Sequence, residues 1–403
     1  MKRLFLFLMV LICAYGIAAC NSERQEDKVK PETASLQDTD MHKIGVIVYS
    51  DKDEEVLAFK DYLKGYIEEV FPDVTFIYSG SITTEEEELR FIQDACDQGA
   101  EGFLSFLTRD LEKETALCAE NKAYYMLASG TVSDETFASV EDNPYFIGEV
   151  GPGTELEYQT GADMAEHFYR QNYGSDYFIL SGGGCLGNEM HLLRTMGILD
   201  KLQELYGVTF DRTSREIALS DTPNEITAGE LKICVVPGYI SREEYFIPAK
   251  EEYENHRYGI VLSVLPVAEM SEVVKDAHLG VIDCYSTRNL QLVNRGQLQY
   301  VAGKYSSIIG PSFAAMYNAV TGYSDDFREN GKAFQGRQGF WFSASHDDYV
   351  EKYAMANSVV QNAYNYDDLQ RVCKAYNPDA CLDDLKKLIS AFTYEDALAR
   401  RSQ

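Results

Sequence analysis

Apolar positions fall into three regimes along the chain. Leu4 to Ile17 is almost continuously apolar, Asn21 to His42 has hardly any apolar residue, and from Lys43 onward short apolar runs alternate with amphipathic stretches. Ile44 to Tyr49 is rich in β-branched residues and reads as a buried parallel strand. The stretch Asp53 to Phe71 follows with Val56, Phe59, Leu63 and Ile67 on one helical face. The alternation continues through strands at 74–78, 101–108, 123–129 and 145–150, separated by helices at 84–98 and 110–121. A long helix at 154–172 opens a second series. Strands at 176–181, 231–237, 258–265, 278–283 and 297–303 are interleaved with helices at 188–206, 242–256, 268–276 and 312–320. Two such series predict an α/β chain with two doubly wound parallel-sheet lobes. Ligands of such sheets bind beyond the carboxyl ends of the strands, so the expected site is the cleft between the lobes.

The terminal regimes add an address. Lys2 and Arg3 precede the apolar stretch, which is too short to span a bilayer comfortably and has the proportions of a secretory signal. It ends in Ile17-Ala18-Ala19-Cys20, which resembles a lipobox, so residues 1–19 read as a lipoprotein signal peptide and Cys20 as the lipidated residue. More than one acyl chain on that cysteine would hold the protein stably at the outer face of a membrane. Residues 20–42 are too polar to offset the entropy of ordering them and read as a flexible tether. The remainder, about 360 residues, exceeds one comfortable core. Residues 43–152 with part of the C-terminal region are assigned to the N-terminal lobe and 153–300 to the C-terminal lobe. Residues 301–403 form a hinge-crossing segment and C-terminal extension, with a strand-like run at Phe334 to Phe342 and helices around 347–363 and 367–388.

Composition removes several function classes. A formal charge of -29 argues against nucleic acid and against a polybasic grip on lipid. Seven cysteines remain beyond Cys20, with no CxxC pair, so the zinc-ribbon reading fails, and the odd number points to a reducing or anaerobic habitat. Cys373 and Cys381 are the close pair that a disulfide could bridge. The run Ser181-Gly182-Gly183-Gly184-Cys185 lacks a Walker lysine and reads as the first cleft loop of the second lobe. No GxSxG or HExxH is present, and Glu189-Met190-His191 reads as helix surface. Four glutamates at 85–88 read as a solvated helix N-terminus. Nothing supports catalysis, a cofactor or a metal.

Several segments, in order, carry a resemblance. Gly99-Ala100-Glu101-Gly102-Phe103-Leu104-Ser105, Leu193-Arg194-Thr195-Met196-Gly197-Ile198, Gly280-Val281-Ile282-Asp283-Cys284 and Ile309-Gly310-Pro311 with Ala314, Ala315 and Tyr317 resemble motifs of the type I periplasmic binding proteins. That is the group of the ribose- and galactose-binding proteins, and the similarity runs from Lys43 to Tyr323. It implies an interlobe cleft in which Arg194 and Asp283 hydrogen-bond a sugar or carboxylate. The last cleft strand of relatives ends in Gln, where this chain has Gly303-Lys304, and their Asn-Asp pair is replaced by Val267-Ala268. Strand ends add Tyr49 and Asp51, Thr108 and Arg109, and Ser129 as ligand-binding candidates. Arg109, Arg194 and Lys304 either converge into a cationic cleft, which favours an acidic sugar, or lie apart. The expected function is a monomeric extracellular solute-binding lipoprotein that closes on a small polar ligand and presents the closed form to an ABC permease. The alternative is a sensor that presents it to a membrane histidine kinase.

Overall fold

The computed structural model describes residues 41–237 and 242–402. The signal-peptide, tether and Cys20 assignments lie outside the described residues, apart from the last two tether positions. Among the described residues no helix is long and apolar enough to cross a membrane.

Among the described residues thirteen strands make two sheets. The first contains β1 (His42–Val48), β2 (Val74–Ser81), β3 (Ala100–Ser105), β4 (Tyr124–Ala128) and β5 (Phe146–Gly151). The second contains β6 (Asp176–Gly182), β7 (Asn224–Ala228), β8 (Leu231–Pro237), β9 (Ile260–Ser263), β10 (His278–Cys284) and β11 (Leu298–Lys304). The strand-like run near residue 340 is two strands. Of these, β12 (Phe334–Arg337) pairs parallel with β5, and β13 (Trp341–Ser343) pairs antiparallel with β11. Sheet orders are β12-β5-β4-β3-β1-β2 and β13-β11-β10-β9-β6-β8-β7. All pairings of the first sheet are parallel, and the second departs from this at its two edges, β13 and β7. Helices cover both faces, which is why Ile44, Val46, Ile47 and Val48 are all fully buried rather than alternating.

Among the described residues the chain passes from one sheet to the other three times. β5 leads through Pro152 into the helix Gly153–Gln171, which packs beneath the second sheet. β11 leads through Tyr305 into the helix Gly310–Asn318, which lies against β3, β4 and β5. Residues 338–340 join β12 to β13. The helix Gly153–Gln171 meets the helix Glu189–Tyr206 at unusually short range. A Cβ on Gly161 would lie 2.0 Å from the Arg194 carbonyl, and one on Gly197 would lie 2.0 Å from that of Tyr158. Both positions therefore need glycine.

The C-terminal extension closes over the crossings. The helix His346–Ala356 packs against β13 and the helix Thr287–Asn294, while Leu382–Ser390 packs against β12. The long helix expected at 367–388 is two, Tyr366–Arg371 and Leu382–Ser390, separated by a segment holding Asn377-Pro378. Trp341 is buried under this cover. Its ring stacks on Tyr305 with centroids 3.9 Å apart, and its Nε1 donates to the Phe392 carbonyl at 2.7 Å. Cys373 and Cys381 are free thiols.

The glutamate run at 85–88 is not wholly solvated. Thr84 and Glu87 form a capping box on the helix Glu85–Asp97, but Glu88 turns inward and is fully buried. It lies against Glu114, which accepts from Thr108 Oγ1, Tyr125 Oη and the backbone N–H groups of Arg109 and Asp110. Buried without solvent and set beside the Glu114 carboxylate, Glu88 keeps its proton and turns it toward Glu114. Burial first, and Glu114 second, push Glu88 up to about 9. An unfolded glutamate loses its proton near pH 4.3, so between there and pH 9 the folded state holds the extra proton and stability falls as pH rises. Glu88→Gln keeps a donor toward Glu114 and removes that loss. The variant is expected to be about 1–3 kcal/mol more stable than the parent at pH 7.5 and closer to it at pH 4.5. Urea melts at the two pH values measure this, and an equal gap at both would refute it.

Candidate functional site

The carboxyl ends of the two sheets face each other, and polar side chains from both lobes meet there. Tyr49 follows β1 and is half-buried. Its hydroxyl points at Asp53 Oδ1 (3.3 Å) and Glu55 Oε1 (3.5 Å). Asp53 caps the helix Glu54–Tyr62, accepting from the Glu55 N–H at 2.9 Å. Burial and these two carboxylates hold the Tyr49 phenol well above its ordinary value, so it remains a neutral donor. From the second lobe come Asp283 and Cys284, at the end of β10, and Lys304, at the end of β11. Burial, with Asp283 and Glu55 nearby, pushes the Cys284 thiol up.

Lys304 reaches across the cleft. Its Nζ donates to the Ser129 carbonyl at 2.9 Å and lies 3.4 Å from Glu55 Oε1. Burial raises Glu55, and Lys304 pulls it back. A second crossing contact joins Arg288 to Glu54 at 4.0 Å, while the same guanidinium holds Glu269 at 2.8 Å. Between Asp53, Asp283, Cys284 and Asn289 a cavity of about 10 Å³ remains. That is room for roughly one water molecule, and the Lys304 and Arg288 contacts hold the two lobes together here.

Arg194 lies deeper. Its Nε and Nη2 bind both oxygens of Glu157, at 2.5 and 3.2 Å, and Nη1 donates to the Val264 carbonyl at 3.1 Å. Its guanidinium also covers the Phe340 ring at 5.2 Å. Arg194 thus ties the helix Glu189–Tyr206 to the helix Gly153–Gln171 and to the residue after β9. His191, one turn before it, is not a plain surface residue. Its Nδ1 accepts from the Gly183 N–H at 2.9 Å, folding the glycine-rich loop onto its own helix. Desolvation, then Arg194 and Lys304, push His191 down to about 3, so it stays neutral.

The structure thus brings Tyr49, Ser129, Asp283 and Lys304 together and sets Arg194 behind them. Asp283 accepts from Asn289 Nδ2 at 2.7 Å. Three other candidates sit apart. Asp51 is exposed and accepts from Ser81 Oγ; Thr108 bonds Glu114; and Arg109 is exposed, with Nη2 on the Ile82 carbonyl at 3.2 Å. The cationic cleft does not form. Arg109 stays in its own lobe, and Arg194 and Lys304 each face a carboxylate. Glu55 and Glu157, which supply those carboxylates, were not among the candidates because each reads as an ordinary polar position within a helix. Their signal is indirect: a buried arginine or lysine at a strand end calls for an acidic partner.

No protein-family profile matches the chain, and no curated protein does. Solved structures do. An ABC transporter solute binding protein from Bacillus halodurans, with bound myo-inositol, aligns with TM-score 0.58 at 15% identity, covering 79% of this chain and 99% of that one. A galactofuranose binding protein aligns with TM-score 0.59 at 10% identity, over 78% and 98%. A putative LacI transcriptional regulator from Bacteroides fragilis aligns with TM-score 0.53 at 11% identity, over 77% and 99%. Two facing, mainly parallel sheets, the passages between them and these neighbours give one conclusion: the chain has the fold of the type I periplasmic binding proteins.

Proposed function

We propose that this protein is an exported solute-binding lipoprotein. It captures a small polar ligand, a sugar or sugar-like molecule, between its lobes and presents the closed form to an ABC permease. The observation that carries the reading is the convergence, from two lobes, of Tyr49, Ser129, Asp283 and Lys304 at strand carboxyl ends with Glu55 from the first turn of the helix Glu54–Tyr62. Aromatic and planar polar groups at such a place suit hydroxyl-bearing rings. Lipid on Cys20 would keep the clamp near its membrane partner. The closed form would be favoured by ligand through differential affinity for the two arrangements.

The reading is tested by thermal shift against a panel of sugars, polyols, nucleosides and amino acids. A ligand at 100-fold its Kd adds about 2.7 kcal/mol, which raises Tm by several degrees. A sugar or polyol giving that rise is the expected result. A panel with no shift, or one in which only nucleosides or amino acids act, overturns it.

A further inference from the structure

The cleft already holds an ammonium group, the protein's own. Lys304 belongs to the second lobe, but both groups that receive its Nζ, the Ser129 carbonyl and Glu55, belong to the first. Lys304 is 4% exposed, so the pair is desolvated. Ser129 takes the left-handed conformation, with φ 58°, uncommon for a residue other than glycine. This conformation follows β4 directly, where the carbonyl meets Lys304. The Ser129 hydroxyl is buried as well and has no hydrogen-bond partner.

The surrounding charge limits what can join this arrangement. Asp53, Glu54 and Glu55 approach from the first lobe and Asp283 from the second. Of the nearby cations, Arg194 is committed to Glu157, and Arg288 is shared by Glu54 and Glu269. Among the described residues, carboxylates therefore outnumber cations even with Lys304 in place. A ligand bearing a carboxylate or phosphate would add to that excess in a desolvated space. A neutral polyol that displaced Lys304 would leave Glu55 without its cation. A ligand carrying its own ammonium replaces Lys304 like for like and releases that side chain.

We propose that the Glu55 carboxylate and the Ser129 carbonyl, which here receive Lys304, form an ammonium subsite, and that the ligand is a sugar with a free primary amine whose ammonium takes that place. This rests on the cleft being the ligand site.

The test is calorimetric titration of the full chain with 2-amino-2-deoxy hexoses of gluco, galacto and manno configuration. Each is compared with its hydroxyl parent and its N-acetyl derivative. The expected result is that one amine binds at least about 10-fold more tightly than its parent and its acetamide, since hydrogen bonds to charged groups are worth that much. Glu55→Gln should bring the three affinities together. Lys304→Met should tighten the amine by removing its competitor, with Lys304→Gln as the second variant should the first fail to fold. An acetamide, neutral sugar or sugar acid that binds as tightly as the amine overturns this proposal and leaves the sugar-binding reading intact. If no saccharide of any class binds while an amino acid or nucleoside does, both fall together.

Discussion

Arg194→Met is expected to destabilise the fold by about 3–5 kcal/mol, the usual effect of removing one partner from a buried ion pair. Arg194 is 5% exposed and Glu157 is fully buried. Methionine fills much of the space but leaves the Glu157 carboxylate with only the distant Thr131 hydroxyl, at 3.5 Å, and takes the guanidinium donor from the Val264 carbonyl. The stacking over Phe340 is lost too. The damage should therefore come from the stranded charge more than from lost volume. A second substitution separates these causes. Glu157→Gln added to Arg194→Met should recover a large part of the loss, because no charge is then buried alone. Urea denaturation of parent, single and double variants measures this. A single variant within about 1 kcal/mol of the parent would show that the pair contributes little.

Trp341→Ala is expected to cost about 3–5 kcal/mol, in the range for a buried aromatic cut to a methyl group. The ring packs between Tyr305 (3.9 Å, stacked), Tyr394 (5.2 Å, edge-on) and Tyr285 (5.9 Å, edge-on). Its loss also leaves the Phe392 carbonyl with the Tyr305 hydroxyl as its remaining donor. Because Tyr305 and Trp341 belong to two of the three crossings, the same change should loosen the lobes. Small-angle scattering should then record a larger radius of gyration for the variant at temperatures where it remains folded. A variant with parental stability and size would rule out this role for the stack.

Much of the fold was legible because buried parallel strands are continuous β-branched runs, and Ile44 to Val48 or Leu279 to Ile282 leave few other readings. Phe334 to Phe342 was not. Its halves join different sheets, and that depends on β5 and β11, each far away in sequence. The edge strand β7 and the break after Arg371 were missed for the same reason, being decided by neighbours rather than by local pattern. At the cleft, strand ends pointed to Tyr49 and Ser129 directly, and the family resemblance to Asp283 and Lys304. They also pointed to Thr108, whose hydroxyl is taken by Glu114 inside its own lobe. Strand-end position fixes where a residue starts but not which way its side chain is drawn. That choice depends on buried acids such as Glu55, Glu114 and Glu157, which a helical pattern presents as solvent-facing.

Trp341 is the chain's sole tryptophan. It sits where β12 passes to β13, against the tyrosine that begins another crossing. Indole emission from the unmodified protein therefore arises at one place only, the joint about which the lobes would turn. Its intensity and wavelength follow the Tyr305 contact and the dryness of that pocket, so the molecule carries an optical gauge of its own closure and needs no attached dye.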